Sequence, residues 1–86
     1  MNKKYILVTG AAGYIGSHTL LQFLNANFNV ISLDSYINSS ETALEKVKLL
    51  SGRDFITIVG DVADESLLED LFSTYTISLV VHLAAF

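Results

Sequence analysis

Apolar residues are concentrated in four short runs along the chain. These runs cover residues 5–8, 30–33, 55–59 and 77–83. Each is continuous rather than alternating with polar residues, which is typical of strands buried on both faces of a parallel sheet. The pattern therefore predicts four strands.

Helical periodicity is found in the first and third intervals between these runs. The first helix is predicted over residues 13–26, where the asparagines at positions 25 and 27 favour a stop. The third helix is predicted after Asp64, a residue type that caps helix N-termini well. The side chains expected to face the core are Ile15, Leu20, Phe23 and Leu24 in the first helix, and Leu67, Leu68, Leu71, Phe72 and Tyr75 in the third.

The second interval carries helix signals mainly at its ends. We expect this helix to begin near Ser39 or Ser40 and to end at Gly52, because glycine readily adopts the positive φ that terminates many helices. Thr42 and Glu45 have the three-residue spacing of a capping box.

The element order β-α-β-α-β-α-β predicts an α/β fold with a doubly wound parallel sheet of the Rossmann type. Right-handed crossovers place the second and third strands on one side of the first strand, and the fourth on its other side. A crevice then opens between the ends of the first and fourth strands. Residues 1–86 are interpreted as one domain that is the N-terminal portion of a larger one, because the last apolar run needs cover on both faces and a neighbour on its open edge.

Composition excludes several classes of protein. With 51% hydrophobic and 16% charged residues, the chain is too apolar for a disordered protein. The absence of cysteine excludes a disulfide scaffold and a cysteine-ligated metal site, and favours a cytoplasmic location. The net charge is −4 and the five bases are scattered, so we expect no nucleic-acid partner. No apolar run approaches the roughly 18 residues of a membrane span.

A glycine-rich segment follows the first strand and opens the first helix. Gly10, Gly13 and Gly16 have the spacing G-x-x-G-x-x-G, a turn one residue longer than the common G-x-G-x-x-G. Gly10 would permit a tight exit from the strand, Gly13 a close approach of the backbone to a pyrophosphate, and Gly16 close packing of helix on sheet. The free N–H groups at the helix start would bind the phosphates. The strand before and the helix after favour a dinucleotide site over turn glycines alone.

Two acidic residues at strand ends indicate which dinucleotide would bind. Asp34 closes the second strand, where a carboxylate can accept both hydroxyls of an adenosine ribose and would repel a 2′-phosphate. NAD is therefore favoured over NADP, the alternative being an aspartate that opens a polar loop. Asp61 could accept the adenine amino group and Val62 could offer an apolar or backbone contact, although a turn before Asp64 is nearly as well supported.

The chain offers no catalytic or metal-binding residue. His18 and His82 are expected to be satisfied side chains of the core, and no acidic cluster lies near them at metal-ligand spacing. Ala84 and Ala85 are small and would stand at the mouth of the crevice, where a nicotinamide ribose could pass close to the backbone. Asn38 and Ser39, like the turn at Asp61, are divided between cofactor contacts and helix capping.

Together these motifs resemble the extended short-chain dehydrogenase/reductase family. The matching segments are residues 8–19, 33–34, 38–39, 60–62 and 81–84. The segment 13–19, combined with Asp34 and the pair Asn38-Ser39, is most similar to the family's sugar-nucleotide 4-epimerases. Two positions depart from those epimerases: Ser35 stands where they usually have asparagine, and Ala85 where they usually have glycine.

The resemblance implies a set of cofactor contacts. Tyr14 and Ile15 would contact the pyrophosphate, Asp34 the ribose, and Asp61 with Val62 the adenine. The full set of implied or derived NAD-binding positions is Gly10, Gly13, Tyr14, Ile15, Gly16, Asp34, Ser35, Asn38, Ser39, Asp61, Val62, Leu83, Ala84, Ala85 and Phe86.

The same resemblance implies a chemistry that this chain does not complete. In the family a tightly held NAD takes a hydride from C4 of a UDP-sugar and returns it to the opposite face, while a tyrosine with a lysine four residues on serves as base. No Tyr-x-x-x-Lys is present here, so we expect these residues after Phe86 and no catalysis by the chain alone. A homodimer is implied as well. The alternatives are a nucleotide-sugar 4,6-dehydratase, another extended relative, or a NAD-binding module without catalysis.

Overall fold

A computed structural model describes residues 3–10, 14–35 and 41–83 of the chain. Strands and helices alternate along these residues, seven elements in all. They are β1 (Lys4–Thr9), α1 (Tyr14–Asn25), β2 (Asn29–Asp34), α2 (Glu41–Ser51), β3 (Ile56–Val59), α3 (Glu65–Thr74) and β4 (Thr76–His82). The predicted order is confirmed, and each strand begins and ends within one residue of its predicted bounds.

The four strands form one parallel sheet with the order β3-β2-β1-β4. In the register, Val8 of β1 lies between Ser32 of β2 and Val81 of β4. The second and third strands are therefore on one side of β1 and the fourth on the other, as the crossover rule predicts.

The core has two layers, one on each face of the sheet. Helices α1 and α2 cover one face with a cluster that contains Ile6, Val8, Leu20, Leu24, Val30, Leu44, Val47 and Phe55. Helix α3 covers the other face with Leu71, which packs near Leu7, Ile31 and Leu33. Burial on both faces, predicted for all four strands, is confirmed only for the central pair β1 and β2.

Helix α1 presents a buried stripe of Gly16, Leu20 and Leu24, spaced four residues apart. The prediction that Ile15 belongs to this core is wrong, because its side chain is 67% exposed. At about 100° per residue, Ile15 lies roughly 140° around the helix from Leu20 and so faces away from the sheet.

The predicted stop of α1 is confirmed by its C-terminal geometry. Asn27 has a φ of 69°, its N–H donates to the Leu24 carbonyl (3.0 Å), and the Phe28 N–H donates to the Phe23 carbonyl (3.0 Å). The Phe23 and Phe28 rings pack edge to face at 5.8 Å. This pair of backbone bonds with its apolar contact is a Schellman motif. The Arg53 guanidinium also donates to the Leu24 carbonyl (2.9 Å), which ties the end of α1 to the segment after α2.

The predictions made for α2 and α3 are confirmed in part. Gly52 has the predicted positive φ, 67°, and the Asp64 side chain accepts from the Leu67 N–H (3.2 Å) as the predicted cap. The Thr42 capping box is wrong, because α2 begins at Glu41 and Thr42 lies inside it. Phe72 is 51% exposed rather than buried; it lies about 100° around α3 from the buried Leu71. Ser39 and Ser40 lie outside the described residues.

Tyr75 follows α3 rather than extending its apolar stripe. Its N–H donates to the Leu71 carbonyl (2.9 Å) as the C-cap, and its ring packs edge to face on Tyr5 at 5.2 Å.

Within the described residues, none of the helices has the length and apolar character needed to cross a membrane.

Candidate cofactor site

The carboxyl ends of all four strands meet at one edge of the sheet. Three backbone hydrogen bonds continue the sheet just beyond the strand ends: Gly10 N–H to the Leu33 carbonyl (2.9 Å), Gly60 N–H to the Asp34 carbonyl (3.1 Å), and Leu83 N–H to the Thr9 carbonyl (3.0 Å). The predicted site residues Gly10, Asp34, Asp61 and Leu83 each follow or end a different strand. The sheet therefore brings them to one edge, although they are distant in sequence. In parallel α/β sheets this is the edge at which ligands bind.

The exit from β1 has the backbone geometry predicted for a glycine. Gly10 has a φ of 74°, in the left-handed region where a side chain is strained. Gly16 is buried on the stripe of α1 that faces the sheet, in keeping with the close helix packing predicted for it. Gly13 lies outside the described residues, as do the side-chain contacts of Tyr14.

The N-terminal turn of α1 faces the same edge as Gly10. The helix begins at Tyr14, four residues after Gly10, and its first turn carries no acidic residue. The positive end of the helix dipole is therefore not neutralised by a carboxylate of its own first turn. Ile15 in this turn is exposed. An anion approaching this end of α1 would meet N–H groups and an exposed apolar side chain.

Asp34 ends β2 and is partly buried. Its carbonyl oxygen is held by the Gly60 N–H, so the backbone at this position is tied on the β3 side. Ser35 follows it and is exposed. Asn38 and Ser39 lie outside the described residues. The placement of Asp34 beside the glycine-rich exit is the one that ribose recognition requires, and its role stays a prediction.

The segment after β3 forms a tight turn into α3. An Asp61 carboxylate oxygen accepts from the Ala63 N–H (2.9 Å), and the Asp64 N–H donates to the Asp61 carbonyl (2.9 Å). Val62 packs partly buried against the cluster on the α3 face of the sheet. The turn predicted as the alternative is thus present. The adenine contacts of Asp61 and Val62 stay predictions, because the Asp61 side chain is exposed as well as bonded within the turn.

A contact between two side chains at this edge was not predicted. The Thr9 hydroxyl oxygen and His82 Nδ1 are 2.7 Å apart, and the two residues are register partners at the ends of β1 and β4. Thr9 is buried, whereas His82 is exposed. The expectation that His82 and His18 are core residues is wrong: both are exposed, because His82 lies on an edge strand and His18 on the outer side of α1. A threonine closing a buried strand just before a glycine turn was the available signal.

The end of the candidate site on the β4 side is only partly described. Leu83 is partly buried against the cluster under α1 and α2. Ala84, Ala85 and Phe86 lie outside the described residues. The described residues contain no group of three or more acidic or histidine side chains placed to hold a metal ion.

A separate open groove of about 740 Å³ lies at the amino-terminal edge of the sheet. It is lined by residues that include Lys3, Tyr5, Phe72 and Tyr75. Lys3 and Tyr5 are at the start of β1 and Tyr75 directly precedes β4, so they lie at the opposite ends of these strands from Gly10 and His82. The groove is therefore not part of the candidate cofactor site.

Comparisons with known proteins identify what the chain is similar to. The sequence model described as the NAD dependent epimerase/dehydratase family matches residues 6–86. The UDP-glucose 4-epimerase of Pasteurella multocida is 47% identical over 79 residues, which are 92% of this chain and 23% of that protein. The enzyme of the same name from Bacillus subtilis is 42% identical over the same length.

Solved structures give the same result. The structure of UDP-glucose 4-epimerase from Bifidobacterium longum, in complex with NAD+ and UDP, aligns with a TM-score of 0.91 and 44% identity over 95% of this chain and 24% of that one. A dTDP-glucose 4,6-dehydratase from Bacillus anthracis aligns with a TM-score of 0.85 but at 23% identity, so it shows only the common fold. The chain spans about a quarter of the length of these relatives.

Proposed function

The chain belongs to the NAD dependent epimerase/dehydratase family, and on that premise we propose that it forms the NAD-binding part of a UDP-glucose 4-epimerase. The observation that carries the proposal is the left-handed Gly10 at the exit of β1, held beside the end of β2 by its bond to Leu33. This is the geometry that a dinucleotide site of this fold needs. Identity of 47% to an epimerase over 92% of the chain supports this member of the family.

From β3 to β4 along this edge of the sheet, the proposed contacts follow the order of the parts of NAD. The glycine turn and the first turn of α1 would hold the pyrophosphate with N–H groups. Asp34 would accept the ribose hydroxyls and disfavour a 2′-phosphate. Asp61 and Val62 would lie near the adenine, and Leu83 near the nicotinamide half. Ser35, Asn38, Ser39, Ala84, Ala85 and Phe86 complete the proposed set.

The chemistry divides between the cofactor and the protein. When bound, NAD supplies the hydride acceptor and donor for C4 of the UDP-sugar. The residues of this chain hold and orient it, and they supply no general base: the positions four residues after Tyr5, Tyr14, Tyr36 and Tyr75 are Thr9, His18, Ser40 and Leu79. We place the base in the three quarters of the relatives' length that this chain does not match. A homodimer and a cytoplasmic location stay predictions.

Titration of the purified protein with NAD and NADP tests the cofactor half of the proposal. NAD should bind more tightly than NADP. Asp34→Ala should weaken NAD binding by about tenfold or more, because two charge-assisted hydrogen bonds to the ribose are lost. Asp70→Ala is the matched control, since it removes the same charge from the exposed side of α3.

Two results would contradict this part of the proposal. One is the absence of NAD binding by a folded protein. The other is an equal effect of Asp34→Ala and Asp70→Ala on NAD binding.

The epimerase half of the proposal is tested by incubating the full-length gene product with UDP-galactose. Formation of UDP-glucose supports the proposal, whereas loss of water from the sugar would indicate a dehydratase.

A further inference from the structure

The Thr9–His82 contact joins the two strands that flank the crevice. The distance between the Thr9 hydroxyl oxygen and His82 Nδ1 is 2.7 Å, which is short for a hydrogen bond involving an imidazole nitrogen. A second bond lies beside it, from the Leu83 N–H to the Thr9 carbonyl. The last residue of β1 is therefore held to β4 through both its side chain and its backbone.

The position of this contact is unusual within the two strands. Thr9 is the last residue of a strand whose other buried members are apolar, and its side chain is buried. The contact partner, His82, is exposed and is the last residue of β4, the strand that pairs with β1 on this side. A directional bond between two strand ends fixes their relative position more closely than non-directional apolar contact.

Both residues adjoin proposed cofactor segments. Thr9 precedes Gly10, where the pyrophosphate turn begins, and His82 precedes Leu83, where the segment beside the nicotinamide half begins. The Thr9–His82 pair therefore joins the two strands at the points where these segments begin. Cofactor sites of this kind depend on supports that hold the contacting groups in place.

We infer that Thr9 and His82 are a positioning pair for the cofactor: they hold the glycine turn and the segment after β4 at the separation that NAD requires, without touching NAD themselves. The inference rests on the proposed function for its ligand. Its structural part, that the side-chain bond fixes the end of β4 against β1, stands independently of NAD.

Variants can remove the bond with little change in shape. Thr9→Val removes the hydroxyl and keeps the branched side chain, and Thr9→Ser is its control because it keeps the hydroxyl. At the other partner, His82→Asn places an amide where Nδ1 lies and can serve as donor or acceptor, whereas His82→Gln places its amide nearer the position of Nε2. We expect Thr9→Val and His82→Gln each to raise the Kd for NAD roughly fivefold, the cost of one hydrogen bond. Thr9→Ser and His82→Asn should stay within about twofold of the original protein.

Amide hydrogen exchange gives a readout that does not involve NAD. In Thr9→Val and His82→Gln the Leu83 amide should exchange faster, because its acceptor on Thr9 is less firmly held. The Gly60 amide donates to the Asp34 carbonyl between β3 and β2, on the other side of β1 from β4. It is the internal control and should keep its exchange rate. A merely structural role would lower stability and speed exchange at both amides together.

The outcomes separate the inference from the proposed function. The inference is supported if Thr9→Val and His82→Gln bind NAD more weakly and exchange the Leu83 amide faster. Thr9→Ser and His82→Asn should at the same time keep the Kd and the exchange rate of the original protein. The inference is overturned if folded His82→Gln binds NAD as tightly as His82→Asn, or if Leu83 exchange is the same in both. Because His82 is exposed, this pair decides the matter even where Thr9→Val fails to fold. A protein that binds no NAD at all contradicts the proposed function, and Leu83 exchange then still decides whether the bond fixes the strand ends.

Discussion

Two glycines in the left-handed region offer a matched pair of substitutions. Gly10 and Gly52 have φ values of 74° and 67°. Alanine at either position is strained by roughly 1–2 kcal/mol, part of which is offset because alanine also restricts the unfolded chain. At Gly52 no atom lies within 4 Å of the position an added Cβ would take, so steric clash adds nothing there. We expect Gly52→Ala to lower the free energy of unfolding by about 1 kcal/mol.

Urea and thermal unfolding, followed by circular dichroism, measure this effect. A loss of about 1 kcal/mol corresponds to a fall in Tm of roughly 4–8 °C for a domain of this size. Gly10→Ala should lose at least as much, because the strained residue also donates the bond to Leu33. The two variants should differ in ligand binding: Gly10→Ala should weaken NAD binding by tenfold or more, and Gly52→Ala should leave it unchanged.

Either of two results would refute this reasoning. If Gly52→Ala unfolds at the same urea concentration as the original protein, the left-handed conformation is not what stabilises the end of α2. If Gly10→Ala and Gly52→Ala bind NAD equally well while folded, the exit of β1 is not part of the phosphate site.

Three further predictions concern polar groups in the fold. Asp64→Ala should lower the free energy of unfolding by about 1 kcal/mol, measured in urea, because the Leu67 N–H loses its cap; an unchanged midpoint would contradict the capping role. Ser32→Ala should raise stability by up to about 1 kcal/mol, because the fully buried hydroxyl has no hydrogen-bond partner among the described residues; a loss of stability would instead reveal a partner. The Phe55 N–H donates to the Asp54 carboxylate and the Lys48 ammonium lies 3.2 Å from it, and both hold the pKa of Asp54 below its usual range. The contribution of this carboxylate to the free energy of unfolding is therefore present above the ordinary aspartate pKa of roughly 3.9, and it is lost as the pH falls through the lower folded value. Unfolding of Asp54→Asn and the original protein should therefore converge in acid and differ near neutral pH, less so in high salt.

The features predicted correctly from the sequence are those set by local backbone chemistry. Gly52 and Asp64 end or begin helices as expected, because few residue types satisfy a left-handed C-terminus or an N-cap. Asn27 does the same at the end of α1. The strand order followed from the handedness of crossovers rather than from any one residue.

The errors concern which face of an element its neighbours cover. Ile15 and Phe72 are apolar residues in correctly predicted helices, yet both are exposed. The helical period alone does not tell which side meets the sheet when apolar residues occur around much of the helix. His82 was misplaced for a related reason: its apolar flanks suggested a core, while its strand lies at an edge. Its partner Thr9 could be found only once β1 and β4 were aligned in register.

The same apolar pattern has opposite outcomes in β1 and β4, and the sheet order explains the difference. Both runs are continuous, but β1 has a strand on each side and helices over both faces, whereas among the described strands β4 pairs with β1 alone. Leu79 and Val80 are consequently 49% and 46% exposed. The exposure of these two side chains follows from the position of β4 in the sheet order, not from the apolar pattern itself. The side chains of Thr9 and His82 join the ends of these two strands, where the candidate cofactor site begins.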